Sequence, residues 1–214
     1  MRLLKRNTYA ALALAAVATF GLAACAPAAE EPVTEPAPAA TEEMEDFTAN
    51  LVGAGCAGYA EQVPDGGGSI DGMAVSPVVT AASNNPLLTT LTAALSGGLN
   101  PDVNLVDTVN GSDFTVFAPV DDAFAKLPAE TVAALQLPEN AALLTSILTY
   151  HVVPGKILPA DIAGEQTTVQ GGIVTVAGSG DNITVNDATV ICGGVVTSNA
   201  IVYLIDTVLS PPAA

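Results

Sequence analysis

The sequence predicts an α+β domain, in which helices come first along the chain and strands follow. Two patterns support this prediction. Leucines recur at helical spacing between Leu87 and Leu95, whereas after His151 the chain breaks into short β-branched runs that glycines separate. About 160 residues lie beyond Leu51, which is enough to enclose one sizeable hydrophobic core in a single domain.

The helices are predicted from caps and breakers as well as from leucine spacing. Asn84 and Asn85 are good capping residues, and Pro86 suits the first position of a helix that Gly97 and Gly98 would end. Further helices are predicted from Asp121 through Leu127, from Pro128 to about Gln136, and from Glu139 to about Thr149.

The strands are predicted from β-branched and aromatic runs that turn residues bound. The first is Phe114–Phe117, which ends at Pro119, and another follows His151. The remaining runs lie at residues 166–170, 173–177, 182–186, 189–192 and 201–205, and the pairs Gly171-Gly172 and Gly193-Gly194 are expected to separate strands.

Residues 1–24 have the features of a secretory signal peptide. Met1 to Arg6 carries three of the chain's five basic residues, and an apolar run follows to about Gly21. This run is shorter than the about 20 residues that a membrane-spanning helix needs. It ends in Leu22-Ala23-Ala24-Cys25, which resembles the bacterial lipobox. The resemblance implies cleavage before Cys25 and diacylglycerol on its sulfur. The alternative is an ordinary signal peptide with an incidental cysteine.

Residues 25–50 are predicted to be the lipidated cysteine followed by a disordered tether. Pro, Ala, Thr and Glu dominate this stretch and cannot bury enough apolar surface to fold. Thr34 and Thr41 lie in the Pro- and Ala-rich context in which O-glycosylation occurs. The folded domain is predicted to span residues 51–214. We therefore expect a lipid-anchored bacterial protein exposed on the extracytoplasmic face of the cell membrane.

The mature chain would be strongly acidic. Three basic residues leave with the signal, so only Lys126 and Lys156 remain against 22 acidic side chains, a formal charge of −20. Such a surface repels nucleic acid, whose binding depends on cationic contacts to phosphate, and it disfavours anionic lipid headgroups. The predicted attachment to the membrane is therefore the lipid on Cys25 and not a basic patch.

Cys56 and Cys192 remain once Cys25 is assigned to lipid. Disulfides persist outside the cell, so the two can pair with each other, and the alternative is two free thiols. A bond between them would close most of the domain into one loop, worth up to roughly 5 kcal/mol in the chain-entropy model. With one histidine and no close pair of cysteines, the chain is not predicted to hold zinc, another metal or a cofactor.

Three segments, in this order and spacing, resemble the fasciclin (FAS1) domain. They are Phe114–Phe124, Leu148–Gly155 and Thr197–Leu209. The outer two are similar to the family's homology boxes, and the middle one contains its Tyr-His motif as Tyr150 and His151. The resemblance covers about residues 70–211. It implies a single domain in which N-terminal helices pack on a β-wedge of about seven strands.

A closer resemblance is to the mycobacterial secreted fasciclin-type antigens, in particular to their lipidated surface member. The segments that support it are Gly53–Ala57, Ala81–Pro86, Leu99–Thr108 and Ile191–Gly194. Cys56 and Cys192 stand where that group has its single disulfide. Ala200 and Tyr203 depart from the common fasciclin pattern of Gly and His, so no role of a second histidine is carried over.

Four motif residues are candidate site residues. Asp121 and Asp122 begin a predicted helix, where carboxylates cap the open amides, and other metal ligands are lacking nearby. His151 is expected to be a hydrogen-bonded structural histidine, with a pH-sensitive group as the alternative. The resemblance implies that Tyr150 and His151 serve largely in packing, although their surroundings are implicated in adhesion in animal members.

The resemblance implies adhesion, or another interaction with an extracellular or host protein or glycan. The alternative is an extracellular binding protein for an apolar small ligand, because some fasciclin-type proteins are associated with apolar pigments. An enzyme is not predicted, since the single histidine has no Ser or Cys elbow motif beside it to complete a hydrolytic triad.

Overall fold

A computed structural model describes residues 47–212 of the chain. The predicted signal, Cys25, Thr34 and Thr41 lie outside the described residues. The described range contains eight short helices: α1 Cys56–Gln62, α2 Ile70–Ala74, α3 Val78–Ser83, α4 Thr89–Leu95, α5 Val106–Asn110, α6 Asp121–Ala125, α7 Ala129–Leu135 and α8 Ala141–Tyr150. It also contains seven strands: β1 Phe114–Pro119, β2 Val152–Pro154, β3 Gly164–Thr167, β4 Ile173–Ala177, β5 Thr184–Val185, β6 Ala188–Val196 and β7 Ala200–Ile205.

The seven strands form one sheet in the order β2-β1-β7-β6-β5-β4-β3. The neighbours β1 and β7 are parallel, with Phe114 opposite Ala200 and Pro119 opposite Ile205, and all other pairs are antiparallel. The two outer strands approach each other, because the Val169 amide just beyond β3 donates to a β2 carbonyl at 2.7 Å. Helices on a seven-stranded wedge confirm the predicted α+β class.

The neighbouring strands β1 and β7, both inside the sheet, are buried along their whole length. Successive side chains of a strand point to opposite faces, so each strand contributes to two cores. Val116 and Val202 pack with the helices, whereas Phe117 and Tyr203 pack with the remaining strands, their rings 5.7 Å apart. Burial on both faces explains why these segments are almost continuously apolar in sequence.

The helix predicted to start at Pro86 begins three residues later, at Thr89. Asn85 does not cap it, because its side chain is buried and turned inward. Its Nδ2 donates to Tyr59 Oη (2.8 Å), and its Oδ1 accepts from the Leu87 amide (3.0 Å). Asn85 therefore holds a turn before α4 and supplies no cap to the helix.

Strand β6 extends beyond its predicted end at Cys192. The sequence predicts that Gly193-Gly194 separates two strands, but both glycines lie inside β6. The register shifts between Cys192 and Val195, and Gly194 has a φ of +76°, which favours glycine. A Cβ on Gly193 would lie 2.3 Å from the Tyr203 ring. The glycines therefore form a bulge that an aromatic ring covers.

Two shorter boundary differences have local causes. β3 ends at Thr167 instead of continuing to residue 170, because Thr168 turns the chain by donating from its amide and its hydroxyl to the Gly172 carbonyl. β5 is only two residues long, since a 3-10 helical turn at Gly180–Asn182 takes up the start of the predicted strand.

Candidate functional site

The start of the domain is fastened to the middle of β6. A disulfide joins Cys56, the first residue of α1, to Cys192, 136 positions further along the chain. Beside it the Gly55 amide donates to the Ile191 carbonyl (2.9 Å). A Cβ on Gly55 would lie 2.5 Å from a methyl carbon of Ile191. The structure thus contains the predicted pairing, and the glycine before Cys56 allows the close approach.

An open cleft of about 230 Å³ lies next to this disulfide, and we call it the α1–α6 cleft. Its apolar lining comes from Tyr59, Leu87, Val120, Ile191 and Leu204. These residues belong to α1, the turn before α4, the residue before α6, β6 and β7. Five separate segments therefore meet at one surface depression.

The polar lining of the α1–α6 cleft consists mainly of Gln62, Asp121 and Asp122. Gln62 ends α1 and is exposed, and the two aspartates begin α6. Two of the four predicted site residues are thus brought to a concave surface. Gln62 was missed from the sequence, because nothing in its local pattern indicates that it faces a segment about 60 positions away.

Asp121 caps a different helix from the one that the sequence predicts. No side chain caps α6, whose N-cap residue is Val120. The Asp121 carboxylate instead accepts from the Thr90 amide (2.8 Å) and the Thr89 hydroxyl (2.6 Å) at the start of α4. The N-cap residue of α4 is Leu88, which has no polar side chain, so α4 obtains its acceptor from α6.

The electrostatic balance at Asp121 favours the ionised form. Partial burial by itself would raise the pKa of this carboxyl, but the hydrogen bonds from Thr89 and Thr90 outweigh that effect and hold it below the usual value. The cleft therefore has a fixed negative charge at Asp121 at neutral pH.

Asp122 differs from its neighbour because it is exposed and free. No residue in the described part of the chain donates a hydrogen bond to its carboxylate or forms an ion pair with it. It does not cap α6 either, contrary to the sequence prediction. The cleft thus carries one carboxylate committed to the fold and one available to a ligand.

Tyr59 forms the back of the cleft and is 2% exposed. Its hydroxyl donates to the Gly68 carbonyl and accepts from Asn85 Nδ2. Burial raises the pKa of Tyr59 to about 12, although the Asn85 hydrogen bond acts in the opposite direction. Tyr59 therefore stays neutral and serves as part of the wall.

His151 lies at the end of α8 and is buried, away from the residues that line the cleft. Its Nδ1 donates to the Ile147 carbonyl (2.8 Å), and its Nε2 accepts from the Leu209 amide (2.9 Å). Burial lowers the pKa of His151 to about 4, with the Ile147 hydrogen bond opposing the shift. Both ring nitrogens are occupied by backbone groups, which is the arrangement of a structural, neutral histidine.

Tyr150, like His151, has a structural role. Its hydroxyl donates to the Ile173 carbonyl (2.7 Å) and accepts from Asn186 Nδ2 (3.2 Å), which ties the end of α8 to β4 and to the turn after β5. The structure therefore divides the four predicted site residues: the aspartates line the cleft, and the Tyr-His pair fastens the fold.

Asn199 is a structural residue that the sequence prediction did not single out. Its Oδ1 accepts from the Val78 amide (2.9 Å), and its Nδ2 donates to the carbonyls of Val109 (2.9 Å) and Ser112 (3.0 Å). One side chain in the third motif thus joins the start of α3 to the end of α5. The presence of an Asn in the tight turn before β7 could have indicated a structural role. Its partners could not be predicted, because they lie up to 121 positions away.

Residues 47–212 contain no group of three His, Cys, Asp or Glu side chains arranged to hold a metal ion. No helix in that range is long and apolar enough to cross a membrane. An almost wholly apolar void between the helices and the sheet has a volume of only about 20 Å³, far below the about 300–1,000 Å³ of small-molecule pockets.

Comparisons with known proteins agree with the motifs. The family model described as "Fasciclin domain" matches residues 86–211. Cell surface glycolipoprotein MPB83 of Mycobacterium bovis is 56% identical over 212 residues, which cover 95% of this chain and 96% of that protein. Immunogenic protein MPB70 of Mycobacterium bovis is 54% identical over 208 residues, covering 97% of this chain and 98% of that protein.

Among solved structures, the FAS1 domain pair from the insect cell adhesion molecule Fasciclin I is similar, with a TM-score of 0.54 and 16% sequence identity. The alignment covers 67% of this chain and 52% of the other, so the chain matches about half the length of that domain pair. At this identity the likeness concerns the fold alone.

Proposed function

The chain belongs to the fasciclin domain family, and from this membership we propose that it is a surface lipoprotein whose domain mediates adhesion or binds proteins or glycans outside the cell. One observation carries the proposal: the chain is 56% identical, over 95% of its length, to a protein named a cell surface glycolipoprotein. The match covers 212 residues, more than the folded domain predicted at residues 51–214 contains, so the similarity extends into the segment that precedes the domain.

The form of the described domain supports a role in binding macromolecules. The interior is filled, with a void of about 20 Å³, and the larger α1–α6 cleft of about 230 Å³ opens to solvent. A cleft that opens at the surface is accessible to side chains or sugars of a large partner. The alternative of an enclosed apolar ligand gains no support, because such a ligand needs a larger apolar cavity.

The anchor is proposed to be lipid on Cys25. Because the mature chain has two lysines against 22 acidic residues, electrostatic attraction to anionic lipids cannot retain it. Cys25→Ala is expected to move the intact protein from the membrane fraction into the medium and to abolish incorporation of labelled palmitate. Ala39→Ser, a change in the tether that leaves the cysteine in place, is the matched control. Unchanged membrane retention of Cys25→Ala would contradict the anchor.

Adhesion is best tested on whole cells. Bacteria that carry the chain, bacteria that lack it, and bacteria with the Cys25→Ala form are compared for attachment to immobilised extracellular matrix and to host cells. We expect attachment to fall both on deletion and on release of the protein from the surface. Beads coated with the purified protein should reproduce the attachment. Equal attachment by all three strains, together with inert beads, would refute the proposal.

A further inference from the structure

We propose that the α1–α6 cleft receives the side chain of an arginine or lysine from a protein partner, with its methylenes on the apolar wall and its cation at Asp122. The inference rests on the proposed function and deepens it, because it names the chemistry of the partner that the domain holds. The occupant is a side chain borne on a polypeptide and not a free small molecule.

The dimensions of the cleft favour one long side chain. Its volume of about 230 Å³ is below the range of about 300–1,000 Å³ in which pockets enclose whole small molecules. The cleft opens to solvent, so a side chain can enter while the backbone that carries it remains outside. A ligand of this shape needs an apolar stem and a polar tip.

The wall of the cleft is suited to the stem. Leu87 and Ile191 are half-buried and leave part of their apolar surface at the cleft, and Val120 and Leu204 close its deeper part. Lys and Arg side chains characteristically lay their methylenes along such surface while the charged head remains in water. An acidic or short polar side chain would leave this wall uncovered.

The negative charge at the edge of the cleft is suited to the cationic end of the side chain. Asp122 is exposed and has no partner in the described part of the chain, and Asp121 beside it is committed to α4 but still negative. A cation placed at Asp122 therefore lies in a cleft lined by two carboxylates, and neither hydrogen bond of Asp121 has to break. A guanidinium would add paired donors that match the geometry of a carboxylate.

No cation from the described part of the chain fills this position. Lys126 follows α6, but its Nζ lies 3.0 Å from Asp206 Oδ2. Lys156 Nζ donates to the carbonyls of Thr197 (3.2 Å) and Ser198 (3.3 Å). Both lysines of residues 47–212 are thus engaged elsewhere, which leaves the position at Asp122 open to a cation from a partner.

The overall charge adds long-range attraction for a basic partner. Seven of the 22 acidic residues precede Phe47, so 15 acidic side chains and two lysines lie in the described range. A field of this sign raises the association rate of a basic segment and repels an acidic one, and salt weakens it.

The walls are held in place before any ligand arrives. The disulfide and the Gly55–Ile191 hydrogen bond fix α1 to β6, and the Asp121 hydrogen bonds fix α6 to α4. The side that carries Tyr59 and Gln62 is thus fastened to the sheet, and the side that carries the aspartates to the helical layer. A preformed site of this kind loses little entropy on binding.

The test is a titration of the purified full chain, ¹⁵N-labelled and in a nonionic detergent, with a blocked Ala-Arg-Ala tripeptide. Backbone amide signals of Asp122, Ala123 and Ile191 are expected to shift with saturation, and binding is expected to weaken as salt is added. The matched peptides carry citrulline, which keeps the shape without the charge, or norleucine, which keeps only the stem. Both are expected to bind at least about threefold more weakly.

Variants at the rim separate this site from general attraction to an acidic surface. Asp122→Asn should weaken the arginine peptide about threefold to tenfold, whereas Asp181→Asn, at an exposed carboxylate outside the cleft, should leave binding unchanged. Gln62→Lys should weaken binding, and Gln62→Glu should strengthen it. Gln62 is exposed, so neither change disturbs the core.

The outcomes are decisive in either direction. Three results would each overturn the subsite. The amide shifts could spread evenly over the acidic surface, or Asp122→Asn and Asp181→Asn could weaken binding equally. The free diamine cadaverine could also bind where the tripeptide does not. Loss of the subsite with cell adhesion intact would leave the proposed function standing. A functioning subsite in a chain that supports no attachment of cells or beads would instead remove adhesion and retain the binding chemistry.

Discussion

At the scale of single residues, His151 links stability to pH. Its pKa falls from an ordinary 6.5 to about 4 on folding, so between these values the unfolded chain binds a proton that the folded chain does not. Stability from this group is therefore complete above pH 6.5 and is lost as the pH falls to 4. A shift of this size corresponds to roughly 3 kcal/mol.

His151→Gln tests this linkage, because glutamine does not titrate and its carbonyl oxygen can replace Nε2 as acceptor for the Leu209 amide. The variant should be less stable than the natural protein at pH 7, since the Ile147 carbonyl loses its donor, by about 1–3 kcal/mol. Urea unfolding at pH 7, 5.5 and 4.5 should show a flatter decline for the variant. Parallel pH curves for the two proteins would contradict the assignment.

The pH range in which His151 affects stability differs from the range in which the carboxylates do. Hydrogen bonds outweigh burial and lower the pKa values of Asp121 and Asp206, so their stabilising contributions are lost only as the pH falls below the ordinary value of about 3.8. Both carboxylates remain in the His151→Gln variant, and their effect cancels when the two proteins are compared.

At the scale of secondary-structure elements, Asp121 couples α6 to α4. Asp121→Asn keeps the size of the side chain but removes the charge that strengthens the bonds from Thr89 and Thr90. We expect it to lower the free energy of unfolding by about 1 kcal/mol, and Asp121→Ala by up to about 2 kcal/mol. Hydrogen exchange at the Thr90 amide should speed up in both.

The neighbouring residue supplies the matched control. Asp122→Asn changes the same charge on the same helix but removes no contact in the described structure, so its effect on unfolding should stay within about 0.5 kcal/mol. Equal losses for the two variants would mean that the negative charge near the start of α6, and not the bond to α4, provides the stabilisation.

The helices and strands also show how much of the fold could be predicted from the sequence. β1 and β4 lie where β-branched runs and bounding turns place them, because burial and local pattern agree there. The start of α4 was predicted wrongly because Asn85, a good cap in isolation, forms buried bonds to Tyr59 and Leu87 instead. Local preference was overridden by a partner 26 positions away.

The site was less predictable than the fold for a similar reason. Asp121 and Asp122 were found from a motif, yet the cleft exists only because segments from α1 to β7 converge on it. Gln62 and Ile191 carry no local sign of that position. A single sequence indicates which residues are polar at a helix start, but not which distant wall they face.

At the scale of the whole molecule, the disulfide connects α1 to β6 across most of the folded chain. Native backbone bonds already join the same segments: Val52 and Gly193 exchange two hydrogen bonds of 3.0 and 2.7 Å, and Gly55 donates to Ile191 at 2.9 Å. The folded state therefore has little need of the sulfur bridge for its geometry. Its main effect is expected in the unfolded state, where it restricts a loop of 136 positions.

Replacing both cysteines, Cys56→Ser with Cys192→Ser, tests this without leaving a lone thiol. The free energy of unfolding should fall by up to roughly 5 kcal/mol, because the unfolded chain regains the entropy of the opened loop. The dependence of that free energy on urea should become steeper, since a chain without the cross-link exposes more surface when it unfolds. The Cys25→Ser chain, which keeps the disulfide, is the control for loss of a cysteine. A large loss of stability with an unchanged urea slope and a disordered α1 would place the effect in the folded state, and would mean that the backbone bonds around Gly55 and Gly193 cannot hold the domain start without the bridge.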